Sequence, residues 1–107
     1  MKLVKFLGDA REILRSFPEG VRHDLGEQLG RVQRGAEPAS WKPMKTVGAG
    51  VRELRVRDET GAFRLIYAMT IGDFIYVLHV FQKKSQATAQ RDIELARARY
   101  KMLTGRK

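Results

Sequence analysis

The feature that most limits what this chain can fold into is a change of hydrophobic period near its middle. From residue 51 onward, three apolar runs at 51–57, 62–71 and 74–81 are rich in Val, Ile, Leu, Phe and Tyr. Only Asp58-Glu59-Thr60-Gly61 and Gly72-Asp73 separate them. Connections this short join strands as hairpins, whereas a parallel crossover needs a dozen residues or more. The segment therefore predicts a three-stranded antiparallel meander.

Upstream the period is helical. Ala10, Ile13, Leu14 and Phe17 follow Asp9, a good N-cap type, and Pro18 stops or redirects the chain. Val21, Leu25, Leu29 and Val32 then recur at three- and four-residue spacing until Gly35. The two helices are expected to pair antiparallel, with a joint apolar stripe that needs a sheet to cover it. Residues 1–7 read as a short strand ending at Gly8. The stretch 35–43, with Pro38, Ser40 and Pro43, reads as a loop anchored by Trp41, followed by a short strand at 44–47. Thr88 is an N-cap type for a last helix, in which Ile93, Leu95, Ala96, Tyr100 and Leu103 oppose a basic face before Gly105. Tyr100 belongs by spacing to the packing face. The expected fold is α+β: an N-terminal helical hairpin packed on one face of a mainly antiparallel twisted sheet, with a C-terminal helix. At 107 residues the chain is expected to be a single domain, 1–107, since two cores would each bury too little apolar surface.

Charge narrows the partners. Twenty-one Lys and Arg against 12 Asp and Glu leave a formal charge of +9, which favours polyanions such as nucleic acid or ribosome. No apolar run approaches bilayer-spanning length and no signal-peptide pattern opens the chain, so a cytoplasmic location without membrane contact is expected. Without cysteine, and with only His23 and His79, the chain offers no metal-ligand spacing; no metal and no cofactor are expected. His23, on a charged helix, reads as a surface residue.

Symmetric hairpin turns would place specific residues side by side, because side chains alternate strictly along a strand. The expected cross-sheet rows are Arg57-Ala62-Lys83, Arg55-Arg64-Phe81 and Glu53-Ile66-His79. Leu54, Val56, Phe63, Leu65, Tyr67, Phe74, Tyr76, Leu78 and Val80 would then face the helices, leaving the basic face open. Like charges directly opposite destabilise a ladder, so Arg55 beside Arg64 suggests a bound anion. The alternative is that these arginines splay into water or pair with Glu53 and Glu59. Histidine is the residue type here whose ordinary titration range suits proton transfer, which makes His79 the candidate general acid or base. A packed, hydrogen-bonded strand histidine is the alternative. Phe81 could stack on a base or belong to the core.

These residues also resemble a known family. Trp41-Lys42-Pro43-Met44-Lys45, Gly50-Val51-Arg52-Glu53-Leu54-Arg55-Val56, Phe63-Arg64-Leu65-Ile66-Tyr67 and His79-Val80-Phe81-Gln82-Lys83-Lys84-Ser85-Gln86-Ala87-Thr88 resemble, in order and spacing, segments of the RelE/ParE toxin superfamily, nearest its phage-derived HigB-like branch. The resemblance implies the toxin of a type II toxin-antitoxin system, with a small helix-turn-helix antitoxin as partner. For RelE-like and HigB-like members it implies metal-independent cleavage of mRNA in the ribosomal decoding site, by attack of the 2′-hydroxyl on the adjacent phosphate. Arg64 would clamp that phosphate, Lys83 and Lys84 would be the basic pair at the sheet's end, and Arg55 and Arg57 would complete the cradle. The chain departs from the RelE-like pattern in having no aromatic residue between Phe81 and Tyr100 and no proline after Thr88. Two other activities stay open: DNA gyrase inhibition by binding, as in ParE-like members, and non-catalytic RNA binding by a phage protein.

Overall fold

A computed structural model describes residues 1–69, 72–83 and 89–105. Strands β3 (Val51–Asp58), β4 (Gly61–Ala68) and β5 (Phe74–Lys83) form the antiparallel meander. The first turn is tight because the Asp58 carboxylate accepts hydrogen bonds from the Thr60 amide (2.8 Å) and hydroxyl (2.6 Å). Gly61 follows at φ 139°, a conformation that a side chain would disfavour. The register pairs Arg57 with Ala62, Arg55 with Arg64 and Glu53 with Ile66, then Ala62 with Lys83, Arg64 with Phe81 and Ile66 with His79.

Below that point the second hairpin departs from simple alternation. Tyr67 pairs with Val77, so Leu78 is an extra residue in β5, a β-bulge. The bulge turns Ile75 and Val77 toward the helical pair and sends Tyr76 and Leu78 to the opposite face. The expectation that Tyr76 and Leu78 would face the helices is thereby corrected. One inserted residue inverts the facing of everything beyond it.

Two short strands complete the sheet. β1 (Leu3–Phe6) pairs parallel with β5, and β2 (Trp41–Pro43) pairs antiparallel with β3, giving the order β1-β5-β4-β3-β2. The strand expected at 44–47 is a turn instead, closed by hydrogen bonds from the Met44 amide to Val51 O (2.9 Å) and from the Val47 amide to Met44 O (3.0 Å). That turn buries Met44 and Val47.

Helices α1 (Ala10–Arg15) and α2 (Glu19–Gln33) meet at Pro18, which caps α2. Val21, Leu25, Leu29 and Val32 are all buried against the sheet, each contributing about 1.5–3 kcal/mol of apolar transfer. α2 ends as Gly35 enters the left-handed region, with the Ala36 amide donating to Arg31 O (2.8 Å) and the Gly35 amide to Val32 O (3.0 Å). Asp9 stands at the N-cap of α1 but makes no side-chain cap; its carboxylate accepts from Arg99 instead.

The last helix, α3 (Gln90–Thr104), begins after Ala89; Thr88 lies outside the described residues. It packs on the sheet face opposite α1 and α2, where Ala96, Ile93, Tyr100 and Leu103 meet Met44, Val47, Val51, Ile66, Ala68, Leu78 and Phe81. The face expected to be open is therefore covered over part of its area. Its apolar residues and the amphipathic stripe of α3 need each other, since the helical pair already occupies the opposite face. Polar contacts fix the helix: Arg97 donates to Thr46 O (2.9 and 2.7 Å), Arg99 to Leu78 O (2.8 Å) and Asp9 Oδ1 (2.9 Å), and the Tyr100 hydroxyl to Ala49 O (3.0 Å). Among the described residues, no helix is long and apolar enough to cross a membrane.

Candidate functional site

Toward the far end of the sheet the basic rows lie side by side, with Arg57 and Lys42 exposed, Arg55 and Lys83 half-buried and Arg64 buried. Arg57, Ala62 and Lys83 form one row; Arg55, Arg64 and Phe81 form the next, extended by Ser40, whose carbonyl accepts from the Arg55 amide (3.1 Å). The third row is Lys42, Glu53, Ile66 and His79. Ser40, Arg55, Val56, Arg57 and Arg64 line a small open cavity of about 180 Å³. A larger hollow of about 470 Å³, lined by Arg22, His23, Gly26, Glu27, Gly30, Arg31 and Arg34, lies on the outer side of α2. It reflects two glycines without side chains and holds none of the basic-row residues.

Arg64 is the centre of the cradle and is only 4% exposed, against a Glu53 that is fully buried. Its Nε stands 3.6 Å from Glu53 Oε1, and Nη1 donates a long hydrogen bond to Phe63 O (3.4 Å). Burial lowers the Arg64 pKa from its ordinary value, Glu53 opposes that, and Arg55 and Arg57 reinforce it. A guanidinium stays protonated regardless. Lys83 sits in the same field: desolvation first, then Arg64 and Arg55, push its ammonium below the usual lysine range, with Glu53 opposing and Lys42 adding to the depression. A lysine that gives up its proton more readily than usual is suited to proton transfer.

His79 and Phe81 are placed differently. His79 is 5% exposed, lies under α3, and shares a 2.7 Å hydrogen bond between Nε2 and Asp92 Oδ1. Phe81, 7% exposed, stacks against its ring at 5.0 Å and 18°. The structure thus brings Arg55, Arg57 and Arg64 together around the cavity, with Lys83 across Ala62 in the row of Arg57, and sets His79 and Phe81 beneath the helix. Lys84 lies outside the described residues.

Two participants, Lys42 and Asp92, were not singled out from sequence, and a third, Glu53, was expected only as one possible partner of the arginines. Lys42 reaches the cradle because β2 pairs it with Glu53, a register no hairpin turn announces. Glu53 does stand beside an arginine as that expectation has it, 3.6 Å from Arg64 Nε; what the spacing does not show is that it is fully buried. Asp92 shows as an acid in the first turn of α3, but nothing in the spacing links it to His79. Among the described residues, no group of three or more His, Cys, Asp or Glu stands where it could hold a metal ion.

A mixed five-stranded sheet with paired helices on one face and a closing helix on the other is the architecture of an α+β fold with known relatives. The crystal structure of isolated Escherichia coli RelE toxin superposes with a TM-score of 0.57 at 17% identity, covering 80% of this chain and 89% of that one. The intact E. coli RelBE toxin-antitoxin complex gives 0.55 at 14% identity, covering 79% and 100%. The chain therefore shares the fold of E. coli RelE. In sequence, residues 12–101 match the family described as "Phage derived protein Gp49-like (DUF891)", and the chain belongs to that family. Comparison with curated proteins finds none that matches.

Proposed function

We propose that the chain is the toxin of a type II toxin-antitoxin system, acting in the cytoplasm as a HigB-like, ribosome-dependent mRNA endonuclease that needs no metal. The observation that carries this reading is the cradle of Arg55, Arg57, Arg64 and Lys83, with Lys42 beside it, in which Arg55, Arg57 and Arg64 line an open cavity. The 2′-hydroxyl gives its proton to water as its oxygen bonds to phosphorus and the P–O5′ bond breaks, while Arg64 clamps the scissile phosphate and offsets the charge that builds on it. Arg55, Arg57 and Lys42 hold the flanking backbone. Lys83, with its weakened hold on the proton, is the acid that protonates the departing 5′-oxygen, and Lys84 adds charge beside it. His79 and Phe81 act through α3, which they anchor, rather than by touching RNA. A helix-turn-helix antitoxin is the expected partner; the RelE likeness extends to a toxin solved with its antitoxin.

Incubation with ribosomes programmed with a defined mRNA tests this. Cleavage within the decoding site, abolished in Arg64→Ala without loss of the folded state, is expected. Growth arrest with intact transcripts, together with loss of supercoiling by purified gyrase, would refute it in favour of ParE-like inhibition. Salt-sensitive RNA binding with neither effect would favour a non-catalytic RNA-binding protein.

A further inference from the structure

We propose that Glu53 is a positioning residue of the cradle: its buried carboxylate holds the Nε edge of Arg64 against the sheet, so that the rest of the guanidinium is presented to a phosphate. The inference rests on reading the cradle as a phosphate site. It starts from an anomaly of placement. Glu53 is fully buried, opposite the fully buried Ile66 and close in the sheet to Val51 and Ala68, both apolar and buried. An apolar side chain at this position would cost nothing in desolvation, whereas a buried carboxylate recovers its cost only through the partner it meets. Arg64 is one such partner, at 3.6 Å and itself 4% exposed. At this length the pair is held by charge and confinement rather than by a short hydrogen bond. An unguided arginine has several rotatable bonds and would sample many poses; one pinned along its Nε edge loses less freedom when it clamps an anion.

Position 53 also bears on the rest of the cradle. Lys83 faces Arg64 of β4, Arg55 and Glu53 of β3 and Lys42 of β2; of these only Glu53 supports its positive charge. Glu53 therefore does two things with one carboxylate: it orients Arg64 and offsets the mutual repulsion of its neighbours.

The two rival accounts of Glu53 differ in sign. If Glu53 were merely a nearby negative charge, Glu53→Gln would raise the local positive potential and tighten RNA binding. If it positions Arg64, the same change weakens binding. The probe is a short 2′-O-methyl RNA, which cannot be cleaved, followed by fluorescence anisotropy. Glu53→Gln is expected to bind about tenfold more weakly, the scale of the ordering cost of one side chain no longer held in place. The Lys83 titration, read by NMR on labelled lysine, is expected to move to lower pH. Because the orientation acts through Arg64, Glu53→Gln/Arg64→Gln should bind no more weakly than Arg64→Gln alone; the double variant leaves neither charge buried unpaired, so it remains informative if Glu53→Gln fails to fold. Equal or tighter binding by folded Glu53→Gln, or a further tenfold loss in the double variant, overturns the proposal. If Arg64→Gln itself leaves binding unchanged, the phosphate-site reading falls and this inference with it. Absence of ribosomal cleavage alongside Arg64-dependent binding would instead refute only the endonuclease activity.

Discussion

Gly48→Ala is expected to destabilise the protein by displacing α3, and the size of the effect can be worked from one contact. A Cβ built at Gly48 would overlap the ring of Tyr100, whose hydroxyl donates to the neighbouring Ala49 carbonyl at 3.0 Å. The ring cannot retreat without lengthening that bond, because the atom in its way and the acceptor belong to adjacent residues. Overpacking a fitted contact costs about 1–3 kcal/mol, and a lost hydrogen bond adds about 0.5–1.5 kcal/mol. The expected loss is therefore roughly 2–4 kcal/mol, or a fall in Tm of about 8–15 °C at roughly 4 °C per kcal/mol. Urea denaturation of Gly48→Ala, Tyr100→Ala and the double variant measures it. In the Tyr100→Ala background the extra methyl has no ring to meet, so the glycine substitution should cost little, leaving a coupling energy of roughly 2–4 kcal/mol. If Gly48→Ala costs as much without the ring as with it, the clash is not the cause and the reasoning fails.

Other consequences can be measured directly. The Arg99 guanidinium, through its hydrogen bond to the carboxylate, holds Asp9 below the usual carboxylate range. A depressed folded-state pKa means that the pair's stabilisation is present at neutral pH and fades as the solution is acidified through that value. With Asp9 54% exposed, the effect should be small; Asp9→Asn should flatten acid denaturation curves below about pH 4 while barely changing stability at pH 7. Asp92→Asn removes the charge from the 2.7 Å bond to His79 and should cost about 1–3 kcal/mol, measured by thermal melts. If His79 anchors α3 rather than moving a proton, His79→Gln, which keeps a hydrogen-bonding side chain, should retain cleavage within about tenfold; a loss of about a thousandfold with the fold intact would restore His79 to the chemistry.

How much was legible beforehand follows from how local each determinant is. The meander and its upper register were readable because tight turns and strict alternation tie each residue to a partner a few positions away: Arg55 beside Arg64, Ile66 beside His79. The four apolar positions of α2 followed in the same way from helical spacing. The bulge at Leu78 was not readable, since an extra residue in one strand changes no local pattern yet reverses the facing of Tyr76 and Leu78. Nor was the cover over His79 and Phe81, because an amphipathic helix announces that it will bury a stripe without saying against what.

The cradle divides along the same line. That several cations would share one face was determined by the sequence alone, through two turns and the two-residue period of a strand. What tertiary structure decided is which of them reach solvent, which are neutralised and which lie covered: β2 brought Lys42 to the edge, α3 closed over His79, and burial made Glu53 the counter-charge of Arg64. Those outcomes depend on contacts between segments far apart in the chain, where the free energy of packing, not local spacing, selects the neighbour.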